Sequence, residues 1–379
     1  MAARRTALGR VGGLHRQRRL EELAAPVVGA VLADSRVAPA RVDELIVGNA
    51  TQGGNPARII ALAAGLPETV SAATIDRQCG SGLDAILAAI RAIAAGDAEV
   101  IVAGGAESLS TAPWRIAKPK SLYQTPHFIG VEPGAEESGD DVEAHAATEE
   151  LAGRLGITRA QQDAWAARSH LRATAAREAR RFIGEIVPIR ANPEEMRDQS
   201  AVEPTLEDLS RLAPFLPPDG RLTPGNTAAM HDGAAFVVVV SEKVWNEIGR
   251  PRAMRLVASA AQGVGPGREA GAPIEAMKKL YRRLNGFNPK DIGVYELGES
   301  SAAQAIAFGA DLGIDDDHLN PEGGALVRGQ PLGAAGAVLV VRLFSHMVRH
   351  PADAGGPHHG VAALGALGGM GLAALFEAV

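Results

Sequence analysis

The stretch from Thr74 to Ile90, TIDRQCGSGLDAILAAI, constrains this chain most, because it holds Cys79, the only cysteine among 379 residues. An apolar, β-branched run from Val70 to Ile75 precedes it. A small-residue elbow of Cys79, Gly80, Ser81 and Gly82 surrounds it, and Leu83, Ile86, Leu87 and Ile90 follow at helical spacing. The order predicts a strand, a tight turn and a helix. The thiol then sits at a helix N-terminus, where unpaired N–H groups and the macrodipole favour an anion. On this reading Cys79 is a nucleophile with a stabilised thiolate, and the glycines let an acyl group approach the backbone closely. The competing reading of a lone cysteine is a small buried hydrophobe.

The segments ARRTALGRVGG, VDELIVGNATQGGNPARIIALAAGLP, TIDRQCGSGLDAI and VIVAGGAESLSTAP resemble, in order and spacing, the N-terminal half of thiolases (acetyl-CoA acetyltransferases). VYELGESSAAQAIA, LNPEGGALVRGQPLGAAGA and GVAALGALGGMGLAALFE resemble the C-terminal half, so the likeness covers nearly the whole chain. It implies an α/β protein with the thiolase-like duplicated five-layer α/β/α/β/α fold and an inserted loop domain. The first half would span 1–111 plus 223–249, the loop (cover) domain 112–222 and the second half 250–379. DELIVGN and DIGVYEL occupy matching places in the two halves, as do EVIVAGG and GVAALGALGG, which is the trace a duplication leaves.

Periodicity places helices at Glu21 to Leu32, Pro56 to Ala64, Val142 to Leu155, Arg159 to Phe182, Pro273 to Leu284, Ser300 to Leu312 and Leu332 to Phe344. Strands fall at Glu44 to Gly48, Ala72 to Ile75, Glu99 to Ala103, Ile292 to Leu297, Val361 to Leu364 and Leu372 to Phe376. Thr158 is the N-cap expected before Arg159. Trp114 to Asp141 has no clear period and reads as a long loop. The arginines at 168, 172, 177, 180 and 181 read as a solvated helix face with ion pairs, with contact to a CoA phosphate as the alternative. Asp315 to Asp317 reads as a solvated turn.

The net charge of −6 leaves no basic footprint for nucleic acid. There is no run of about 18 apolar residues, the length a membrane span needs. The arginine-rich opening, MAARRTALGRVGGLHRQRRL, already contains the first strand and loop and is read as mature protein rather than transit peptide. A single cysteine excludes an internal disulfide framework and a multi-cysteine metal site and suits a reducing cytoplasm. With no HExxH and no Walker lysine motif, no metal is expected. The glycine-rich GVGPGREAG lacks a strand-GxGxxG-helix setting.

Thiolase chemistry forms an acyl-cysteine and then makes or breaks a carbon–carbon bond beside a carbonyl. The resemblance implies that Cys79 is the nucleophile and that the backbone N–H groups of Cys79 and Leu367 form an oxyanion hole. At the family's other catalytic positions this chain departs from the pattern. Gly365 stands at the second cysteine, which serves as the base for the C–H acid. Gln330 replaces the GHP histidine, and Gly298 replaces the NEAF asparagine. Glycine takes no proton, and glutamine donates a hydrogen bond but does not shuttle protons near pH 7. His231, at the family's asparagine before the last strand of the first half, is the best-placed substitute base, against a structural role. His318, His358 and His359 read as loop histidines, Ser300 and Ser301 as space-fillers, and Glu299 as retained from the motif.

The expectation is an acyltransferase in which Cys79 takes an acyl group from an acyl-CoA or carrier-protein thioester and passes it to a nucleophilic acceptor without the usual Claisen base. The rival expectation is a non-catalytic thiolase-like subunit supporting a partner enzyme. No permanently bound cofactor is expected, CoA thioester being the substrate. The resemblance further implies a homodimer or homotetramer, in the cytoplasm, with no nucleic-acid or membrane partner.

Overall fold

The computed structural model describes residues 2–129, 140–190, 192–199, 204–265, 268–284, 286–350 and 357–379. In chain order the first half runs β1 (Ala2–Arg5), β2 (Gly9–Arg10), α1 (Leu20–Ser35), β3 (Glu44–Gly48), α2 (Pro56–Ala63), β4 (Ser71–Ile75), α3 (Ser81–Ala95) and β5 (Val100–Glu107). Next come α4 (Asp140–Leu155), α5 (Arg159–Glu178), α6 (Leu206–Ser210), β6 (His231–Val240) and α7 (Glu242–Glu247). The remainder runs β7 (Met254–Gly263), α8 (Ala272–Arg283), β8 (Ile292–Gly298), α9 (Ala302–Leu312), α10 (Ala325–Arg328), α11 (Leu332–Phe344), β9 (His359–Ala366) and β10 (Met370–Ala378).

Two mixed sheets form, in the orders β1-β6-β5-β3-β4 and β7-β10-β9-β8, with β2 also on β6. The duplication read from the sequence is visible in the pairing. β3 and β5 are parallel and β5 and β6 antiparallel; β8 and β9 are parallel and β9 and β10 antiparallel. β5 is buried along its whole length, as an apolar run without alternation predicts. α1 and α2 cover the outer face of the first sheet through Leu23, Val27 and Ile60, and α8 and α9 cover that of the second through Met277, Leu280 and Phe308. Between the sheets lie α3 and α11, packed through Leu83, Ile86, Leu339 and Leu343. They come close because a Cβ on Gly82 would stand 2.7 Å from the Gly333 carbonyl oxygen, and one on Gly336 would stand 2.6 Å from Leu83 Cβ. The result is the five-layer α/β/α/β/α arrangement.

Element ends follow local chemistry. Thr158 caps α5 in a capping box with Gln161. That helix stops at Glu178, short of Phe182, because Arg180 takes a left-handed φ of 58°. α9 starts at Ala302 rather than Ser300, since the Ser301 hydroxyl caps it by accepting from Gln304 N–H at 3.1 Å. The part of the Trp114 to Asp141 loop at 130–139 lies outside the described residues, as do 266–267 of the GVGPGREAG stretch. Within the rest of that loop, Ile116 bridges Phe128.

One helical stretch among the described residues, 332–349, is long and apolar enough to cross a membrane, and 89% of it is buried inside the protein. It is the central core helix, α11 with the turn that follows. It carries a fully buried Arg342. Arg342 pairs with Glu185 and Glu322, Arg5 reaches Glu185 at 2.6 Å and Asp198 at 2.5 Å, and Glu296 accepts from His346 at 2.9 Å and Arg328 at 2.9 Å. The cluster ties β1, the 185–198 segment, β8 and α11 together. Arg342 and Arg5 hold the Glu185 carboxyl down to about 2 against the opposing pull of its burial. Its folded pKa is below its unfolded value, so this stabilisation is present above about pH 4.5 and is lost as the pH falls towards 2. Arg342→Met takes one cationic partner from each of Glu185 and Glu322, leaving them only Arg5 and Arg181, and is expected to cost up to about 3–5 kcal/mol. Urea unfolding at pH 7 would check this, and a variant as stable as the parent would contradict it.

Candidate active site

β4 ends at Ile75 and delivers the chain to a five-residue turn before α3. Asp76 Oδ1 accepts from Gln78 N–H at 2.9 Å and from its side-chain amide at 3.3 Å, which holds Gln78 at φ 51°. Ser81 Oγ accepts from Arg77 N–H at 2.7 Å and donates to Gln78 O at 2.6 Å. Arg77 also pairs with Asp84 one turn into the helix, at 3.0 Å. These bonds stand Cys79 at the head of α3, as the sequence predicts, with 2% of the residue exposed.

Two distant segments meet the sulfur. The N–H of Leu367, the side chain of Gln330 and the N–H of Cys79 itself lie near enough to the sulfur to favour its anion. Leu367 lies in the turn between β9 and β10, where Gly368 and Gly369 are both left-handed (φ 79° and 74°). Val264 N–H donates to Gly369 O at 2.8 Å and fixes that turn. Gln330 lies between α10 and α11, its N–H donating to Ala229 O at 2.9 Å and its carbonyl accepting from His231 N–H at 3.1 Å.

The charge state of the thiol differs from the sequence expectation. Burial pushes the Cys79 thiol up to about 11, the negative Glu107 acts in the same direction, and the three donors offset only part of this. The resting sulfur is therefore a neutral thiol. The helix N-terminus does not override the removal of the sulfur from water.

Glu107 was not singled out from the sequence. It ends β5, fully buried, and accepts from Asn49 Nδ2 at 2.8 Å, Ala50 N–H at 3.0 Å, Gly333 N–H at 2.9 Å and the Thr51 hydroxyl. Burial raises its pKa. It joins the 49–51 turn to the first turn of α11. The signal in the sequence was a lone carboxylate closing an otherwise apolar strand.

His231 is not among the groups acting most strongly on the sulfur. Its ring is buried, which lowers its pKa, Nδ1 bonds Ala229 O at 2.9 Å, and the Gln199 backbone also acts on the ring. The ring lies against Gly329, where a Cβ would meet Nδ1 at 1.9 Å, and Gly329 has φ +86°. The histidine thus supports the loop that carries Gln330. Gly329→Ala is expected to destabilise by roughly 2–4 kcal/mol, from left-handed strain plus the clash, and to slow thiol modification; a thermal melt and an alkylation time course would show both. A variant matching the parent in each would remove the support role.

Gly298 and Gly365 lie at the same end of the second sheet but face opposite sides. A Cβ on Gly298 would meet Leu364 Cβ at 2.9 Å and Leu339 at 3.5 Å, in the middle layer. One on Gly365 would meet Gln304 Nε2 and Pro273 Cδ, each at 3.4 Å, under α8 and α9. Glu299 is fully buried, pushed up to about 7 by that burial, and accepts from Trp165 Nε1 at 3.0 Å, which pins α5 over the second half. Ser300 is bound into backbone pairing with Ala228. Arg168 and Arg172 form ion pairs with Asp316 and Asp317 of the Asp315 to Asp317 turn, and Arg181 pairs with Glu322. His318 sits in that turn, with its backbone N–H on Asp315 O at 3.0 Å.

A duplicated five-layer fold that brings backbone donors from its two halves to one buried cysteine belongs to the thiol-dependent acyl-transfer class. Residues 1–243 match the family "Thiolase, N-terminal domain" and residues 251–378 match "Thiolase, C-terminal domain". The acetyl-CoA acetyltransferase of Allochromatium vinosum is 35% identical over 390 aligned positions, covering 99% of this chain and 97% of the relative. The crystal structure of the Bacillus anthracis acetyl-CoA acetyltransferase superposes with a TM-score of 0.91 at 33% identity, covering 100% of this chain and 98% of that one. The human mitochondrial 3-ketoacyl-CoA thiolase gives 0.89 at 29% identity, covering 100% and 98%. The chain belongs to the thiolase family, whose members are acyltransferases working through thioesters.

Proposed function

We propose that the protein is an acyltransferase in which Cys79 takes an acyl group from an acyl-CoA or carrier-protein thioester and delivers it to a nucleophilic acceptor. The observation that carries this reading is the convergence of Leu367 N–H, Cys79 N–H and Gln330 on one sulfur. In the first half-reaction the sulfur attacks the thioester carbonyl, the carbonyl oxygen becomes an oxyanion received by the two backbone N–H groups, and the tetrahedral adduct expels the CoA thiol. The proton leaving Cys79 ends on that thiol, so Cys-SH plus acyl-S-CoA gives Cys-S-acyl plus CoA-SH. Preorganised donors of this kind are each worth roughly 10²- to 10³-fold in rate. In the second half-reaction an amine, alcohol or activated carbon attacks the acyl-cysteine and Cys79 recovers a proton.

Carbon–carbon bond formation from an unactivated C–H is outside this proposal, because Gly365 and Gly298 offer no base and Gln330 no titratable nitrogen. The protein would act as a homodimer or homotetramer in the cytoplasm, with CoA thioester as substrate and no permanently bound cofactor. A second reading, a non-catalytic subunit that supports a partner enzyme, draws on the protonated thiol, since a silent site has no need of a reactive sulfur. Intact mass after incubation with a panel of acyl-CoA thioesters separates the two: one acyl increment supports the enzyme, and none with any thioester, while an alkylating reagent still reaches Cys79, supports the subunit.

A further inference from the structure

At the open end of the β9–β10 hairpin, His358, His359 and Glu377 bring two imidazoles and a carboxylate together, with a ligand atom from each lying within 4.8 Å of the others. We propose that these residues form a surface binding site for a transition-metal ion of the zinc type, separate from the thiol site. His359 and Glu377 are cross-strand partners in the hairpin register, and Ala378 N–H donates to His358 O at 2.9 Å, so hydrogen-bonded strands hold the backbones of all three.

Side-chain orientation points the same way. Arg255 Nε holds Glu377 Oε1 at 2.5 Å and leaves Oε2 turned towards His359 Nε2 at 3.9 Å. That separation is too long for a hydrogen bond. It is about half an ångström wider than the roughly 3.4 Å that two ligands span across a tetrahedral zinc with bonds near 2.1 Å, which a small side-chain rotation closes. Phe287 meets the His359 ring edge-on at 5.0 Å and steadies it, while the exposed His358 ring lies 4.7 Å from that of His359. Two imidazoles and one carboxylate suit zinc, copper or nickel rather than magnesium or calcium. Water would complete the coordination.

β9 spans eight residues from His359 to Ala366, so this end stands roughly 25 Å from the turn carrying Leu367, at about 3.3 Å per residue. A bound ion would pin the two strand ends together without touching the nucleophile.

The test is calorimetric titration of the chelator-stripped full-length protein with zinc chloride, alongside Cys79→Ala, because a thiol also binds zinc. Saturable binding of one ion per chain is expected in parent and Cys79→Ala. It should weaken by at least about 10-fold in H358A/H359A and in Glu377→Gln, with circular dichroism confirming that these fold. The thermal midpoint should rise with zinc in the first pair only, and magnesium chloride should leave all four unmoved. Undiminished binding in H358A/H359A, loss of binding in Cys79→Ala, an equal response to magnesium, or no saturation below millimolar zinc would each overturn the proposal.

Discussion

Cys79→Ala is expected to abolish acyl-enzyme formation completely while leaving the protein folded. The residue is the only thiol in the chain, so an acyl increment that appears in the parent and vanishes in the variant has a single chemical origin. Removing the sulfur empties a small volume at the edge of the core cluster that holds Cys79. That should cost on the order of 1–2 kcal/mol, well below the total stability of a domain. Mass spectrometry reads the chemistry and a thermal melt reads the fold. An increment that persists in the variant would move the nucleophile to another residue and remove the proposed mechanism.

Gln330→His is expected to have the next largest effect, and in the direction of gain. With the thiol at about 11, only about one molecule in 10⁴ carries a thiolate at pH 7. The parent's alkylation rate should therefore climb about tenfold per pH unit from pH 7 to beyond pH 10 without levelling off. The Gln330 side chain already reaches the sulfur, so an imidazole in its place would form an ion pair with the thiolate. Thiols paired in this way titrate at roughly 3.5–7.5. A drop of about 3.5 units raises the thiolate population at pH 7 by somewhat more than about 10³-fold, but a less basic thiolate is a weaker nucleophile, with a Brønsted slope of about 0.4–0.5. The net gain at pH 7 should be about 10- to 100-fold, with the plateau shifted towards neutral pH. Iodoacetamide labelling followed by mass across a pH series checks both curves. If the variant keeps the parent's slope and rate, Gln330 is not the residue that sets the thiol's reactivity.

Much of the architecture was legible because it is written in local pattern. The strand Glu44–Gly48 and the helix Leu332–Phe344 have the limits that their apolar runs predict. The wholly buried β5 shows itself as a run without alternation. The turn at Cys79 was legible for the same reason, since Asp76, Gln78 and Ser81 bond only to near neighbours.

The polar interior was not legible. Glu107 bonds Gly333 across 226 residues, Arg342 meets Glu185 across 157, and Arg5 meets Asp198 across 193. In sequence Glu107, Glu185 and Arg342 are isolated charges in or beside an apolar stretch, and Arg5 is one of two adjacent arginines. Only the fold supplies the partners that make their burial tolerable. The zinc-type site has the same character, since the adjacent histidines precede one strand and Glu377 lies near the end of the next.

Residue type and short spacing alone account for the duplicated α/β pattern, the elbow that presents Cys79, and the chemistry that Gly298, Gln330 and Gly365 can and cannot offer. Three-dimensional packing brought Leu367 and Gln330 near the sulfur, set His231 to brace a loop, and left the Cys79 sulfur as a neutral thiol. A pKa is set by the water, dipoles and charges around a group in three dimensions. At Cys79, burial between two sheets outweighs the helix terminus that the sequence displays.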